Sequence, residues 1–305
     1  MRTVSALMTL LIMTIFGYSQ AQSPILLYPN GVQNAKPTPK SYVEKDDKGW
    51  ASFVSIPTIT PYFPAKGTAN GTSIIIFPGG GYSGLSMDNE GSSIANAFSS
   101  FGVTAFVVKY RLPSDSIMVD KTIGPLQDAQ QAVLMVRKNA AKWGLKTDKI
   151  GIIGFSAGGH LASTEGTHFD QVVIENKDNI SVRPDFMLLL YPVISFGPQA
   201  HVGSRENLIG KKPAADLVDL YSNEKQVTAN TPPTFLVHAG DDTVVPVQNS
   251  LMFYESLLAA KVKAEMHLFE EGGHGFGLNN SKSKNKWIDW AKNWMEENGF
   301  CPPAP

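Results

Sequence analysis

The 305-residue chain has a single cysteine, Cys301, in the tail CPPAP. One thiol cannot form an internal disulfide, so stability must come from the core, and this proline-rich tail is expected to be frayed. No CxxC or paired-histidine cluster is present, so no structural zinc site is expected. Excess charge of one sign is also lacking, with 26 basic against 27 acidic residues and a net charge of −1. Such a balance offers no electrostatic attraction to nucleic acid or an anionic membrane and suits a neutral or weakly charged substrate. The basic run KSKNK at 282–286 is read as a solvated helix entrance. No repeat with a period of 20 to 50 residues appears, which excludes solenoids and propellers.

Long apolar runs are missing too. The N-terminal stretch MRTVSALMTLLIMTIFGYSQAQSP has Arg2, an apolar core from Ala6 to Phe16 and the small-x-small site Ser19-Gln20-Ala21. That core is too short for a membrane span and fits a signal peptide over 1–21, cut after Ala21. The expectation is an exported protein, periplasmic or secreted, whose mature chain is one domain over 22–305 without membrane insertion.

The sequence does contain enough apolar material for a sizeable core, 43% of residues. Short β-rich runs at 73–78, 104–110, 149–155, 186–192, 234–240 and 264–270 alternate with helix candidates near 89–101, 125–143, 157–167, 247–260 and 285–298. This alternation predicts βαβ units around a mostly parallel sheet. The proline- and threonine-rich stretch 22–70 is expected to form an antiparallel leading edge of the same sheet. The irregular segment 193–233 is expected to form a short cap or long loop over the strand ends.

One junction is richer in chemistry than the others. In KIGIIGFSAGGHLAS an apolar strand runs directly into Ser156, and Ala157 opens a helix whose first residues are small. A nucleophile elbow needs this context, because the serine takes a strained backbone conformation and Gly154 and Gly158 leave room where a Cβ would collide. A serine hydroxyl is a weak nucleophile without a base, and the base needs an orienting acid. Among the six histidines, His267 and His238 fall inside strands, His160 lies on the helix after Ser156, and His168 and His201 fall outside the late strand-end loops. His274, in EEGGHGFG, lies just past a strand in a glycine-flanked loop that can turn it over the sheet. HAGDDTVVP offers Asp241 and Asp242 at another strand end, in the chain order Ser, Asp, His. Asp242 is favoured by its spacing to Val245-Pro246, with Asp241 as the competitor. The glycines of FPGGGYSG, Gly79, Gly80 and Gly81, follow the first core strand and can aim backbone N–H groups at a developing oxyanion, with Ala157 N–H beside them. PGGG lacks the GK(S/T) and GxGxxG spacings of phosphate loops, so no cofactor is expected.

Together, PGGGYSGLSMDNEG, VTAFVVKYRLP, PLQDAQQAVLMVR, GFSAGGHLAS, HAGDDTVVPVQNS and GGHGFG resemble the α/β-hydrolase superfamily over nearly the whole mature chain. Within it they resemble exported bacterial esterases grouped with acetylxylan esterases and related hemicellulose esterases. The resemblance implies an α/β-hydrolase fold, a triad of Ser156, Asp242 and His274, and oxyanion donors at Gly80, Gly81 and Ala157. Pro78 stands where related lipases and esterases often carry histidine. The implied substrate is an acetylated oligo- or polysaccharide, and the serine motif argues for esters over glycosidic bonds. A pocket that faces sugar is expected to offer aromatic surfaces. Tyr82, beside the oxyanion loop, is the candidate carried forward, with Tyr191 and Phe196 near the cap. A feruloyl esterase or a general short-chain carboxylesterase on the same fold is the alternative. A peptidase of the prolyl oligopeptidase type is disfavoured by the missing repeats, and a lipase by the polar cap. A non-catalytic binding protein on this fold would be expected to lack a triad member, and all three positions are filled.

Overall fold

The computed structural model describes residues 21–302. The expected signal peptide, apart from Ala21, lies outside them. The strands are β1 (Ile25–Leu26), β2 (Lys45–Asp47), β3 (Trp50–Ser52), β4 (Thr58–Tyr62), β5 (Ser73–Phe77), β6 (Leu85–Ser86), β7 (Thr104–Lys109), β8 (Ile150–Phe155), β9 (Phe186–Leu190), β10 (Thr234–Ala239) and β11 (Ala264–Phe269). The helices are α1 (Ser93–Ser100), α2 (Gly124–Lys138), α3 (Ala140–Trp143), α4 (Ser156–His168), α5 (Val202–Ile209), α6 (Ala215–Leu220), α7 (Gln248–Ala259) and α8 (Trp287–Glu297).

Eight strands form one sheet in the order β1-β4-β7-β5-β8-β9-β10-β11. From β7 to β11 every neighbour is parallel, while β4 and β1 join antiparallel at one edge. β5, β8, β9 and β10 are buried at every position. That explains their unbroken apolar runs, since helices cover a parallel sheet on both faces. In this α/β-hydrolase arrangement the parallel strands end on one side, and the loops there carry the candidate residues.

The leading segment differs in part from expectation. β1 and β4 do extend the main sheet, but β2 and β3 pair with β6 in a separate three-stranded antiparallel sheet. The cause is local: Lys48 and Gly49 both have positive φ, 51° and 81°. Two such residues make the tight hairpin turn whose twist matches its strands, so β3 folds back on β2 and offers its other edge to β6. The helix expected from residue 89 begins instead with a π-helical turn, Met87–Ser92, ahead of α1. The helix expected over 125–143 is interrupted at Asn139, whose Nδ2 bonds the carbonyl of Met135 at 2.8 Å. Segment 193–233 does fold as a short insertion between β9 and β10, carrying α5 and α6. Cys301 is not frayed: it is buried, and its N–H reaches the carbonyl of Met295 at 3.1 Å. Buried Arg111 and Asp128 tie the end of β7 to α2, with Nη2 to Oδ1 at 2.8 Å.

Candidate active site

Ser156 is the first residue of α4, directly after β8, with φ 51°. A serine in the left-handed region is strained and is held there by its surroundings. The turn admits only glycine at two places: a Cβ on Gly154 would lie 2.1 Å from the Gly158 carbonyl oxygen, and one on Gly158 would lie 2.1 Å from that of Phe77. Ser156 Oγ, pushed up at this elbow, sits 2.8 Å from His274 Nε2. His274 Nδ1 in turn lies 2.7 Å from Asp242 Oδ2. Three residues spread over more than a hundred positions thus form one hydrogen-bonded chain.

The two adjacent aspartates divide the work. Asp242 Oδ1 accepts the N–H groups of Val244 and Val245, each at 2.9 Å, so one oxygen is pinned while Oδ2 faces His274. Asp241 turns the other way, and its Oδ1 accepts Gly272 N–H and Gly273 N–H, both at 2.8 Å. It therefore fastens the histidine loop and does not touch the imidazole. Burial alone would raise the Asp242 carboxyl, but hydrogen bonds from His238, His274 and Val245 outweigh burial and hold it well below the usual carboxylate range.

Gly80 and Gly81 line the same cleft as Ser156 and His274. Gly79 is excluded as an oxyanion donor, because its N–H is taken by Glu90 Oε2 at 2.7 Å. Ser83 N–H and Gly84 N–H both bond the Gly80 carbonyl, at 3.0 and 3.1 Å, and curl the loop. Asn207 of α5 grips it from the cap, its Nδ2 bonding the Gly81 carbonyl at 2.8 Å. Ala157 sits in the first turn of α4, where helix N–H groups have no partner within the helix. Such donors can receive negative charge that develops on a carbonyl oxygen at Ser156.

Glu90, Asn89 and Trp50 are not singled out by sequence patterns, and Tyr191 has a role other than the one expected of it. Glu90, buried in the π-helical turn, accepts Gly79 N–H and also the Tyr191 hydroxyl, the latter on Oε1 at 2.8 Å. The Tyr191 hydroxyl accepts Gly277 N–H at 3.0 Å, and its ring packs edge-on to His274 at 5.0 Å. Asn89 Nδ2 bonds the Gly275 carbonyl at 3.1 Å. The π-helical turn thus holds the glycine loop and the histidine loop at once, in keeping with the frequent placement of such turns at functional sites. Burial raises the Glu90 carboxyl above its ordinary range, against the lowering effect of its hydrogen bonds. Trp50 and His201 line the cleft as well, and His238 contacts Asp242. His238 does lie inside a strand, β10, and His201 does fall outside the late strand-end loops, yet both reach the site, because a linear pattern does not show which strand and cap residues face it.

Tyr82 does not serve as a sugar surface. Its side chain is 2% exposed, its φ is 58°, and its hydroxyl lies 2.9 Å from His160 Nδ1. The turn out of the glycine loop points the ring inward, where it anchors that loop to α4. His160 Nε2 donates to the Tyr221 carbonyl at 2.9 Å, and the imidazole stacks on Phe196 at 4.2 Å. Tyr191 and Phe196 are fully buried as well, so none of the three expected aromatics is available to a ligand.

A protein-family model described as BD-FAE matches residues 60–257. The chain is 36% identical over 240 residues to endo-1,4-beta-xylanase B of Butyrivibrio fibrisolvens, covering 78% of this chain and 37% of that protein. It is also 36% identical over 242 residues to an acetylxylan esterase of Xylanibacter ruminicola, covering 77% and 47% respectively. It thus spans less than half the length of either relative. Among solved structures, the acetyl ester-xyloside bifunctional hydrolase of Caldicellulosiruptor lactoaceticus superposes with a TM-score of 0.78 at 37% identity. That match covers 92% of this chain and 97% of the other.

Proposed function

The chain belongs to the BD-FAE family, on an α/β-hydrolase fold, and from this premise we propose that it is a serine esterase that removes acetyl groups from acetylated xylan or a related hemicellulose. The observation that carries the reading is the unbroken chain from Asp242 through His274 to Ser156, at 2.7 and 2.8 Å, beside the Gly80-Gly81 loop. The named activities of two relatives, on acetylxylan and on acetyl ester-xylosides, support the substrate class.

Ser156 Oγ attacks the acetyl carbonyl while His274 Nε2 takes its proton. The carbonyl oxygen, now negative, is met by the N–H groups of Gly80, Gly81 and Ala157. The intermediate collapses as His274 returns the proton to the departing sugar hydroxyl, leaving an acetyl ester on Ser156. Water, deprotonated by His274, attacks that ester, and acetate leaves. Throughout, Asp242 accepts the Nδ1–H bond and stabilises the transient imidazolium. A polymeric extracellular substrate agrees with the export expected from the N-terminal segment, for which a mature N-terminus at Gln22 is the anticipated result.

The test compares acetate release from acetylated xylan with hydrolysis of methyl ferulate, p-nitrophenyl acetate and p-nitrophenyl butyrate. Acetate from xylan is expected, and Ser156→Ala should lower it by roughly four orders of magnitude or more. Activity on methyl ferulate or the simple esters without acetate from xylan would overturn the substrate class. Undiminished fluorophosphonate labelling of Ser156→Ala would overturn the nucleophile.

A further inference from the structure

Trp50 and His201 are among the side chains that line the cleft and take no part in the acyl transfer described above. An acetyl group brings only a methyl to such a site, so the rest of the cleft surface meets the alcohol portion of the ester. Trp50 opens β3 directly after the hairpin turn, paired with Ser86 of β6 on one side and with Asp47 of β2 on the other. The turn itself is clamped, since the Gly49 carbonyl accepts Met87 N–H at 2.7 Å. The indole is held against the oxyanion loop: a Cβ on Gly84 would fall 2.4 Å from Cε2 and Cζ2, and one on Gly80 would fall 3.0 Å from Cη2. Glycine at 84 is what lets the ring approach, while at 80 the Gly84 carbonyl oxygen, 2.1 Å from such a Cβ, already demands glycine. Yet the residue remains 42% exposed. A large apolar ring that is fixed in place and open to the cleft is pre-organised to receive the C–H face of a pyranose with little loss of conformational freedom.

His201 stands over the same loop from the cap side, its Cε1 3.7 Å from where a Cβ on Gly81 would be. It caps α5, with Nδ1 accepting Ser204 N–H at 3.2 Å. Burial, reinforced by the nearby His274, lowers its pKa and favours the neutral ring. With Nδ1 used as an acceptor, the proton of the neutral ring is on Nε2, a hydrogen-bond donor.

We propose that Trp50 and His201 form the carbohydrate subsite of this cleft, the indole stacking on a pyranose ring and His201 Nε2–H donating to one of its hydroxyls. The inference rests on the hemicellulose reading given above. It transfers to Trp50 the role that Tyr82 was expected to fill.

The test uses two acetyl esters that differ only in their alcohol, acetylated xylooligosaccharides and vinyl acetate. An aryl acetate would blur the comparison, because its ring could itself stack on Trp50. Trp50→Ala is expected to lower kcat/KM on the oligosaccharide about tenfold more than on vinyl acetate, chiefly through KM. Trp50→Phe should recover most of that difference, and His201→Asn, which keeps a helix cap, should show a smaller loss in the same direction. Equal losses on both esters in Trp50→Ala and Trp50→Phe would mean that the ring only supports the oxyanion loop, and would overturn the subsite. Should Trp50→Ala fail to fold, the same ratio measured in Trp50→Leu, which fills the space without an aromatic face, and in His201→Asn decides the matter: a preferential loss on the oligosaccharide supports the subsite, and equal losses overturn it. A wild-type protein that cleaves vinyl acetate but releases no acetate from the oligosaccharide overturns the hemicellulose reading, and the subsite with it.

Discussion

His238 Nε2 lies 3.2 Å from Asp242 Oδ2, the same oxygen that meets His274 Nδ1 at 2.7 Å. Two imidazoles therefore share one carboxylate oxygen. His238 is fully buried, its Nδ1 2.8 Å from Ser250 Oγ and its Nε2 also 3.0 Å from the Val245 carbonyl. It therefore fixes the carboxylate and does not compete for the role of base. His238→Ala should lower kcat about tenfold with little change in KM on a small ester, since hydrogen bonds to charged groups contribute about 1.5–3 kcal/mol. A rise in KM without a fall in kcat would argue against a positioning role.

Adjacent aspartates should respond differently to the same substitution. Asp242→Asn cannot stabilise the imidazolium and should reduce kcat by about three to four orders of magnitude. Asp241→Asn keeps a side-chain oxygen for the Gly272 and Gly273 N–H groups and only weakens that loop clamp by removing its charge, so it should reduce kcat by less than about tenfold while costing about 1 kcal/mol of stability. Steady-state kinetics and urea titration of the pair separate catalysis from support.

The link from Glu90 through Tyr191 to Gly277 should appear as coupling. Glu90→Gln and Tyr191→Phe each disturb the placement of two loops, and Tyr191→Phe leaves the Gly277 N–H without its side-chain partner. Each is expected to cost about 1–3 kcal/mol of stability along with activity, and the double variant less than the sum, with a coupling of about 0.5–3 kcal/mol. Additive losses would show that the two residues act separately.

Burial lowers the pKa of His160 to about 3, so the folded protein keeps this imidazole neutral where an unfolded chain would protonate it. Below an unfolded pKa of about 6.5 the unfolded state binds more protons, and stability should fall as pH drops towards 3, by about 1.4 kcal/mol per pH unit from this group. Urea midpoints between pH 4 and 8 read the slope. His160→Asn should be less stable at pH 7 and have a shallower slope over that interval.

Glu165 is fully buried on α4, and neither of its carboxyl oxygens has a hydrogen-bond partner among the described residues. Burial raises its pKa well above the ordinary value. The folded state holds a proton that the unfolded chain releases, so this group weakens the fold as pH rises past the unfolded carboxyl range. Glu165→Leu is expected to stabilise the protein by about 1–3 kcal/mol at pH 7 and by less at pH 4. A loss of thermal stability at pH 7 would contradict this account.

Much of the architecture was legible in the sequence because its signals are local. Apolar runs mark the six parallel strands within two residues at each end, and GFSAGG marks the strand-to-helix elbow because only glycine fits two crowded positions there. The order of serine, aspartate and histidine at successive strand ends also follows from reading along the chain. Three-dimensional packing decided the rest. Whether Asp241 or Asp242 faces His274 depends on which way one turn directs its side chains. Tyr82 points inward because its backbone turns left-handed after three glycines, and no pattern of residue types encodes that direction. Trp50, Glu90, His201 and His238 reach the cleft or the Asp242 carboxylate from elements far apart in sequence. Their nearness to Ser156 and Asp242 is produced by sheet order and loop packing, which are sums of many weak contacts across the whole fold. The sequence by itself determined the kind of chemistry this chain can perform, through the elbow and the residues that follow it. Only the tertiary structure decided which side chains hold that constellation in place and which of them face the cleft.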